Sequence, residues 1–523
     1  MKILKLLFIV YTLSLSSCIA QETKNTVGKG QKNILFIAVD DLKPLIAVYG
    51  EKQMHTPNID RLAKMGVIFK NANVQQAVCG PSRASIMTGM YPDNTKVWDL
   101  HTDFRESAPS LKSMPEYLVS QGYETTAVGK IYHKGSVAKG HDGKSWSMPY
   151  TLPSDFPSEY GKPMYAFYQN PETKKAMQEL QKEALNKGFK KYGKQSKYVF
   201  KTIKPSTECI EGQDEMYLDG LYTNEAIRKL DKLVEGKKPF FLGVGFQKPH
   251  LPFVAPKKYW DLYKREDIKL APFQELAEDS PRIAYHSFGE IRSFSDIDSN
   301  LGVGDKMPDA KQRELIHGYM ACVSYTDAQV GKLLDALEER NILDNTVIVL
   351  WGDHGYHLGD HAEWCKHSNV EQATRIPLIF AGPGVEKNKT ENTPVELVDV
   401  FPTLFDLAGV KTPDVDGKSL VSLLDGDKKT TIAIDYAVSQ YPRMKDKMGY
   451  SIRSERYRYT EWHGASYRSN KEYKDSNIVA LELYDYEKDP NETKNFVAVK
   501  EYKAVVADLK AKLLLHLTSM EKR

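Results

Sequence analysis

The chain has 523 residues, 41% of them hydrophobic and 27% charged, with a formal net charge of +3. This ordinary globular composition allows one large core and a smaller second one, and excludes a disordered or fibrous chain. Without the two leader lysines the charge is +1, which gives no global field for nucleic acid or a membrane surface.

In chain order, the leader MKILKLLFIVYTLSLSSCIAQ carries Lys2 and Lys5, an apolar run from Ile3 to Leu15 and then small residues. That is the pattern of a secretory signal over residues 1–20, too short to be a stable membrane span. Cleavage after Ala20 would release a soluble exported protein. Leu15-Ser16-Ser17-Cys18 also resembles a bacterial lipoprotein processing site, which would leave a lipid on Cys18. Both routes predict export to the periplasm or surface of a bacterium.

Five short apolar runs follow: NILFIAVDD (33–41), TTAVGK (125–130), PFFLGVGFQKPH (239–250), TVIVLWGDHG (346–355) and IPLIFAGPG (376–384). Helical patterns separate several of them, such as TPNIDRLAKMGVIF and the long run from Glu314 to Arg340. The alternation predicts an α/β fold with a mainly parallel sheet flanked by helices. Asp40 and Asp41, Lys130 followed by His133, His250, and Asp353 with His354 all fall at or just past the ends of these runs. In parallel α/β sheets that edge is where ligands bind. Adjacent pairs such as Asp40-Asp41 and Asp353-His354 reach one ion together only where a strand is ending. Three carboxylates favour a hard cation such as Ca²⁺ or Mg²⁺.

The stretch AVCGPSRASIMTGMYP (77–92) sets Cys79 before a Gly80-Pro81 turn into a helix, whose N-terminus favours an anion. Arg83, four residues on, would share that face. A thiolate beside an oxygen-seeking cation is a chemical mismatch. Cys209, Cys322 and Cys365 are too widely spaced for a zinc finger or a redox pair, and the latter two read as buried small hydrophobes. From Thr173 to Lys204 ten lysines stand against Glu179 and Glu183, which reads as a solvated helix face or insertion, with polyanion contact as the functional alternative.

VELVDVFPTLFDLAGV reads as a helix of the large domain. After DGDKK, the segments YAVSQYP, YSIRSERYRYTEW and ALELYDYEKDP look antiparallel, and a helix from about Lys500 to Met520 would pack on them. The expected division is a catalytic domain over 32–429 and a smaller one over 430–523.

Cys79-Gly80-Pro81-Ser82-Arg83, continuing to Thr88-Gly89, resembles the CxPSR signature of type I sulfatases, whose cysteine is oxidised after translation to formylglycine. VDDLKP, TPNIDRLA, VGKIYH, GFQKPHLPF, SYTDAQVGKLLDAL, DHGYHLGDHAEWCKHSN and SIRSERYRYTEW are similar to the iduronate-2-sulfatase branch, so the resemblance covers nearly all of the mature chain. It implies the alkaline-phosphatase-like sulfatase fold and a formylglycine-generating enzyme as partner. The implied activity is removal of O-sulfate from a sulfated carbohydrate, whether a 2-sulfated uronate or an algal polymer such as ulvan, carrageenan or fucoidan.

Carried over by position, the resemblance makes Asp40, Asp41, Asp353 and His354 ligands of one Ca²⁺, completed by the formylglycine from Cys79. Many sulfatases have Asn where this chain has His354. A hydroxyl of the aldehyde hydrate, polarised by the cation and Arg83, would attack sulfur. His250 would protonate the leaving oxygen, Lys366 would neutralise sulfate oxygens, and Lys130 and His133 would flank the aldehyde, His133 taking the remaining hydroxyl proton. Asp99, His101 and Arg105 in VWDLHTDFR, with Trp364, are expected to line the sugar pocket, where Arg or His could hold a uronate carboxylate. His357, His361 and His367 read as structural or supporting residues rather than zinc ligands.

Two alternatives stand beside this. A metal-dependent phosphatase or phosphonate hydrolase of the same superfamily would use a Ser or Thr nucleophile and two zinc ions, enlisting Asp360 and His361. A non-catalytic carbohydrate-binding protein would result if Cys79 stayed unoxidised.

Overall fold

The computed structural model describes residues 30–156, 167–425, 434–444, 446–464 and 473–520. The leader with Cys18 and the expected boundary near residue 430 lie outside the described residues. In chain order the first strands are β1 (Asn33–Val39), β2 (Gly66–Asn73), β3 (Glu124–Gly129), β4 (Thr207–Ile210), β5 (Phe240–Phe246) and β6 (Phe253–Pro256). Then come β7 (Thr346–Gly352), the short β8 (His357–Leu358) and β9 (Trp364–Cys365), β10 (Arg375–Ala381), β11 (Lys389–Glu391) and β12 (Val395–Glu396).

The main sheet has the order β11-β2-β10-β7-β1-β5-β3, with β12 also paired to β2. Strands β7, β1, β5 and β3 pair in parallel, whereas β10 is antiparallel to both β7 and β2. The segment IPLIFAGPG, expected among the parallel strands, is therefore the reversed member. Its cause is the connection: after β7 the chain returns through the β8–β9 hairpin and one helical turn, Glu371–Thr374, instead of a full helical crossover.

Every residue of β1, β5 and β7 is buried because both faces of the sheet are covered. Alternation along β1 divides the core. Leu35, Ile37 and Val39 pack with the helices Pro57–Lys64, Leu218–Gly236 and Asp309–Glu339. Ile34, Phe36 and Ala38 pack with the helices Cys79–Thr88, Met114–Ser120 and Val400–Ala408. Each large apolar side chain so buried contributes about 1.5–3 kcal/mol. The Asp327 carboxylate on the long helix accepts the Asn58 and Ile59 amides at 3.0 and 2.7 Å, filling the open N-terminus of Pro57–Lys64. The helical reading of TPNIDRLAKMGVIF needs correction, since the helix ends at Lys64 and GVIF opens β2. Gly66 is required there, because an added Cβ would lie 1.8 Å from the Phe380 carbonyl oxygen on β10.

The C-terminal sheet is antiparallel in the order β13 (Tyr436–Arg443), β14 (Lys447–Ser454), β15 (Tyr457–His463) and β16 (Ile478–Asp485). The run YSIRSERYRYTEW is thus two strands, β14 and β15, folded back at Glu455-Arg456. Leu509, Leu513 and Leu517 of the helix Lys503–Met520 pack on Val438, Ile452, Tyr459 and Leu483. The lysine-rich stretch forms two helices, Pro171–Asn186 and Tyr192–Thr202, around a small core of Tyr168, Met177 and Val199. Among the described residues no helix is long and apolar enough to cross a membrane.

Candidate active site

Register places the functional groups. Val39 is level with Phe246 on β5 and Gly352 on β7, so the chain leaves three neighbouring strands at one height. The ladder's last bonds are Asp40 N–H to the Phe246 carbonyl and Asp353 N–H to the Val39 carbonyl, both 3.2 Å. Asp41 then adopts a φ of 61°, in the left-handed region, which breaks the alternation of an extended strand. Its amide donates to Asp353 Oδ1 at 2.9 Å, and Tyr319 Oη–H donates to its carbonyl at 2.7 Å.

Cys79 enters as the first residue of the helix Cys79–Thr88, in which every residue is buried. Gly80 lets the helix end approach the chain beside it, since a Cβ there would be 2.6 Å from Ser136 Oγ and 2.7 Å from the Asp99 carbonyl oxygen. Cys79 Sγ lies 3.3 Å from His354 Nε2 and 3.5 Å from Lys130 Nζ. Its ligand-capable atom groups within 4.8 Å with those of Asp41 and His354, and also with those of Asp40 and Asp353. Burial first, and then the charges of Asp40 and Asp353, push the thiol well above its ordinary pKa. A nucleophilic cysteine needs the opposite.

Arg83 is completely buried under this group. Its Nε donates to Asp353 Oδ2 at 2.8 Å and Nη2 to Asp40 Oδ1 at 3.1 Å. Nη1 is taken by the carbonyls of Lys130 and Ile131. The guanidinium is thereby committed to scaffolding, and the expectation that it polarises the nucleophile directly gives way to a positioning role. Asp40 also holds Lys130 Nζ at 2.5 Å. Burial opposes the Asp40 charge, yet Lys130, His250 and Arg83 keep it well below the ordinary carboxylate range.

The residues present fit a divalent cation. His354 Nδ1 faces the Gly355 carbonyl at 2.9 Å and so carries its hydrogen there. That leaves the Nε2 lone pair facing Asp41 Oδ1 at 3.2 Å, two acceptors that require a cation or a proton between them. Three carboxylates around the same point suit a hard ion.

A second constellation adjoins the first. Lys366 Nζ is within 3.0–3.1 Å of both Asp41 carboxylate oxygens and 2.8 Å from Glu290 Oε2. Glu290 also lies 3.2 Å from His250 Nε2 and 3.4 Å from His367 Nε2, and Tyr441 Oη meets His367 Nδ1 at 2.7 Å. Burial opposes the Glu290 charge, but Lys366, His250 and His367 hold it well below the usual range. His250 Nδ1 faces the Leu251 carbonyl at 2.6 Å. Burial works against its protonation, but Asp41, Asp40 and the bond to Glu290 raise its pKa above the ordinary value. His133 goes the other way, burial and Lys130 bringing it down to about 3, and its buried Nδ1 has no hydrogen-bond partner. Glu290 and Tyr441 escape sequence reasoning: one lies in an irregular loop and the other on a strand of the C-terminal sheet, with no motif at either.

The pocket expectations fare differently. Arg105 is ion-paired to Asp142 at 2.7 Å and Glu116 at 2.6 Å, so it is not free to hold a uronate carboxylate. Trp364 is 1% exposed in the core and cannot line an open pocket. Asp99 accepts the amides of His101 and Thr102 at 2.9 and 2.8 Å, shaping the loop against Gly80, and His101 is exposed on it. Asp360 pairs with Lys43 at 3.4 Å and His361 Nε2 faces the Glu492 carbonyl at 3.2 Å, and neither belongs to a metal-capable group among the described residues. His357 Nε2 lies 2.9 Å from Ser368 Oγ, a structural contact. Cys322 and Cys365 are buried and Cys209 is exposed, all three as free thiols.

Residues 32–410 match the sulfatase family, and residues 359–519 match the family described as N-sulphoglucosamine sulphohydrolase, C-terminal. The chain is 34% identical to human (Homo sapiens) iduronate 2-sulfatase, covering 92% of this chain and 94% of that one. It is 31% identical to a sulfatase of Formosa agariphila, covering 97% and 91%. Its fold is similar to that of a solved protein in complex with its substrate D-glucosamine-2-N,6-O-disulfate, with a TM-score of 0.68, 21% identity and coverage of 94% and 98%.

Proposed function

The chain belongs to the sulfatase family and is a sulfatase, and from that premise we propose that it removes O-sulfate from a sulfated poly- or oligosaccharide, using formylglycine made from Cys79 beside one Ca²⁺. The observation that carries this reading is the convergence of Asp40, Asp41, Asp353 and His354 on the buried Cys79. When bound, the cation would polarise sulfate oxygens while the hydrated aldehyde supplied a hydroxyl nucleophile.

The remaining work falls to side chains. Asp40, Asp41, Asp353 and His354 would hold the ion, and Arg83 fixes two of those carboxylates, Asp353 and Asp40. Lys366 brings an ammonium group to the sulfate, where a low-dielectric pocket strengthens it, and Lys130 flanks the aldehyde, its Nζ lying 3.5 Å from Cys79 Sγ. His250, with Nδ1 against the Leu251 carbonyl and Nε2 3.2 Å from Glu290 Oε1, presents a proton on Nε2 for the leaving sugar oxygen. Neutral His133 accepts a proton from the nucleophile's second hydroxyl.

Iduronate 2-sulfatase and an ulvan-active sulfatase of Formosa agariphila, 26% identical over 92% of this chain, are the relatives whose names support a sulfated sugar, with a 2-sulfated uronate or an algal polymer such as ulvan as candidate substrates. The leader supports export to the periplasm or bacterial surface, with or without a lipid on Cys18. The test is a tryptic peptide mass at Cys79 from native-host protein, coupled to sulfate release from a panel of these polymers. Aldehyde at Cys79 with release of sulfate is the expected result. Matured protein that frees no sulfate from any panel member refutes the proposal.

A further inference from the structure

The lysine-rich insertion has a charge and a position that the catalytic reading does not use. Residues 171–204 carry ten lysines and three glutamates, a formal +7 in a chain whose total is +3, so the remainder carries −4. Lys175, Lys182, Lys190, Lys191, Lys194 and Lys197 are exposed, and the hairpin's own apolar core needs none of them.

Its base is fastened to the rim of the site. Lys204 Nζ donates to Ser293 Oγ at 2.6 Å and lies 4.0 Å from the centre of the Phe294 ring, on the loop that carries Glu290. The Ser295 amide donates to the Lys204 carbonyl at 2.9 Å, and Ser206 Oγ donates to Asp296 Oδ2 at 2.7 Å. On the other side Lys248 Nζ stands 5.5 Å from the centre of the Phe167 ring, two residues before His250. The base of the insertion is therefore anchored against the two loops that hold the proposed proton donor and its carboxylate partner.

We propose that this helical hairpin is an electrostatic arm that binds the flanking sulfated residues of a polysaccharide while one sulfate occupies the catalytic centre. The inference rests on the sulfatase reading and adds that the substrate is a polyanionic chain rather than an isolated sugar. Exposed lysines on flexible stems suit a ligand of repeating charge without a fixed geometry, and their attraction reaches about one Debye length, or about 8 Å at physiological salt. Such rim charges act on encounter and retention, and leave the bond-breaking step untouched.

The experiment uses the matured full chain and a variant combining Lys190→Ser, Lys191→Ser, Lys194→Ser and Lys197→Ser, with the four Lys→Arg changes as a charge-keeping control. Dextran sulfate binding is measured over a salt series, and turnover is measured on 4-nitrophenyl sulfate. The serine variant is expected to bind dextran sulfate about tenfold more weakly with a flatter salt dependence, while 4-nitrophenyl sulfate turnover stays within about twofold and the arginine control binds normally. Unchanged dextran sulfate affinity overturns the proposal. So does wild-type binding to duplex DNA or anionic vesicles as tight as that to dextran sulfate. Loss of dextran sulfate binding in a chain that turns over no sulfate ester would keep the arm and remove the sulfatase mechanism, so the two failures are distinct.

Discussion

Replacing Arg83 by alanine is expected to weaken the fold before it weakens any contact with substrate. The guanidinium is fully buried and satisfies Asp353, Asp40 and the carbonyls of Lys130 and Ile131. Removing one partner of a buried ion pair costs about 3–5 kcal/mol. Asp40 retains Lys130 and Asp353 retains the Asp41 amide, which places the electrostatic loss near the lower end. Two carbonyls left without donors add about 1 kcal/mol each, which brings the total to about 5 kcal/mol. Arg83→Lys keeps the charge but cannot span both carboxylates and both carbonyls, so about half that loss is expected. Guanidinium denaturation followed by circular dichroism, with and without excess Ca²⁺, measures both. The ion should recover part of the loss by neutralising the exposed carboxylates. An Arg83→Ala protein within about 1 kcal/mol of wild type would refute the scaffolding role and return Arg83 to direct contact with the nucleophile.

Cys79→Ser should leave the melting temperature unchanged and abolish sulfate release in a coupled assay, because serine keeps the side-chain size and its hydroxyl can meet His354 Nε2 and Lys130 Nζ, which the thiol already faces. For His250 the folded pKa is raised, so its stabilising contribution is complete below about 6.5 and lost as pH rises through the folded value. Glu290→Gln removes one of the groups that raise it, and the basic limb of the kcat/KM profile should move to lower pH; an unmoved limb would deny the link. Arg105→Ala should lower stability by about 2 kcal/mol, between the cost of an exposed and a buried ion pair, while kcat/KM on uronate substrates stays within about twofold, since its partners are Asp142 and the partly exposed Glu116. Glu363 is pushed up to about 8, chiefly by burial, so the native state keeps a proton that the unfolded chain has lost. Stability should therefore fall between about pH 4.5 and 8, and Glu363→Gln should flatten that slope in pH-dependent denaturation.

The legible part of the molecule was its strand ends. Buried parallel strands are continuous apolar runs, so the charged residues that follow each run mark the rim, as with Asp40, His250 and Asp353. The reversal of β10 was hidden because an apolar run carries no direction; the direction comes from the length and content of the connection. β2 was hidden because Val67, Ile68 and Phe69 continue a helical spacing that ends in fact at Lys64. Glu290 is a carboxylate in an irregular loop, and only the tertiary fold brings it to Lys366 and His250. Arg105 and Trp364 were misread for the converse reason: proximity to a motif in sequence says nothing about which way a side chain turns or which charge it meets first.

The C-terminal sheet reaches the catalytic rim through β13 and β14. The Gln440 amide donates to the Gln75 carbonyl at 2.7 Å, Tyr441 meets His367, and Asn369 Nδ2 donates to the Gly449 carbonyl at 2.9 Å. Lys366 thus sits on a loop clamped by a part of the chain more than 70 residues away in sequence. For recombination between relatives, the two sheets consequently form one heritable unit. A chimera joined between them would exchange the walls of its own active centre, and a graft intended to change substrate range should carry β13 and β14 together with the Lys366 loop.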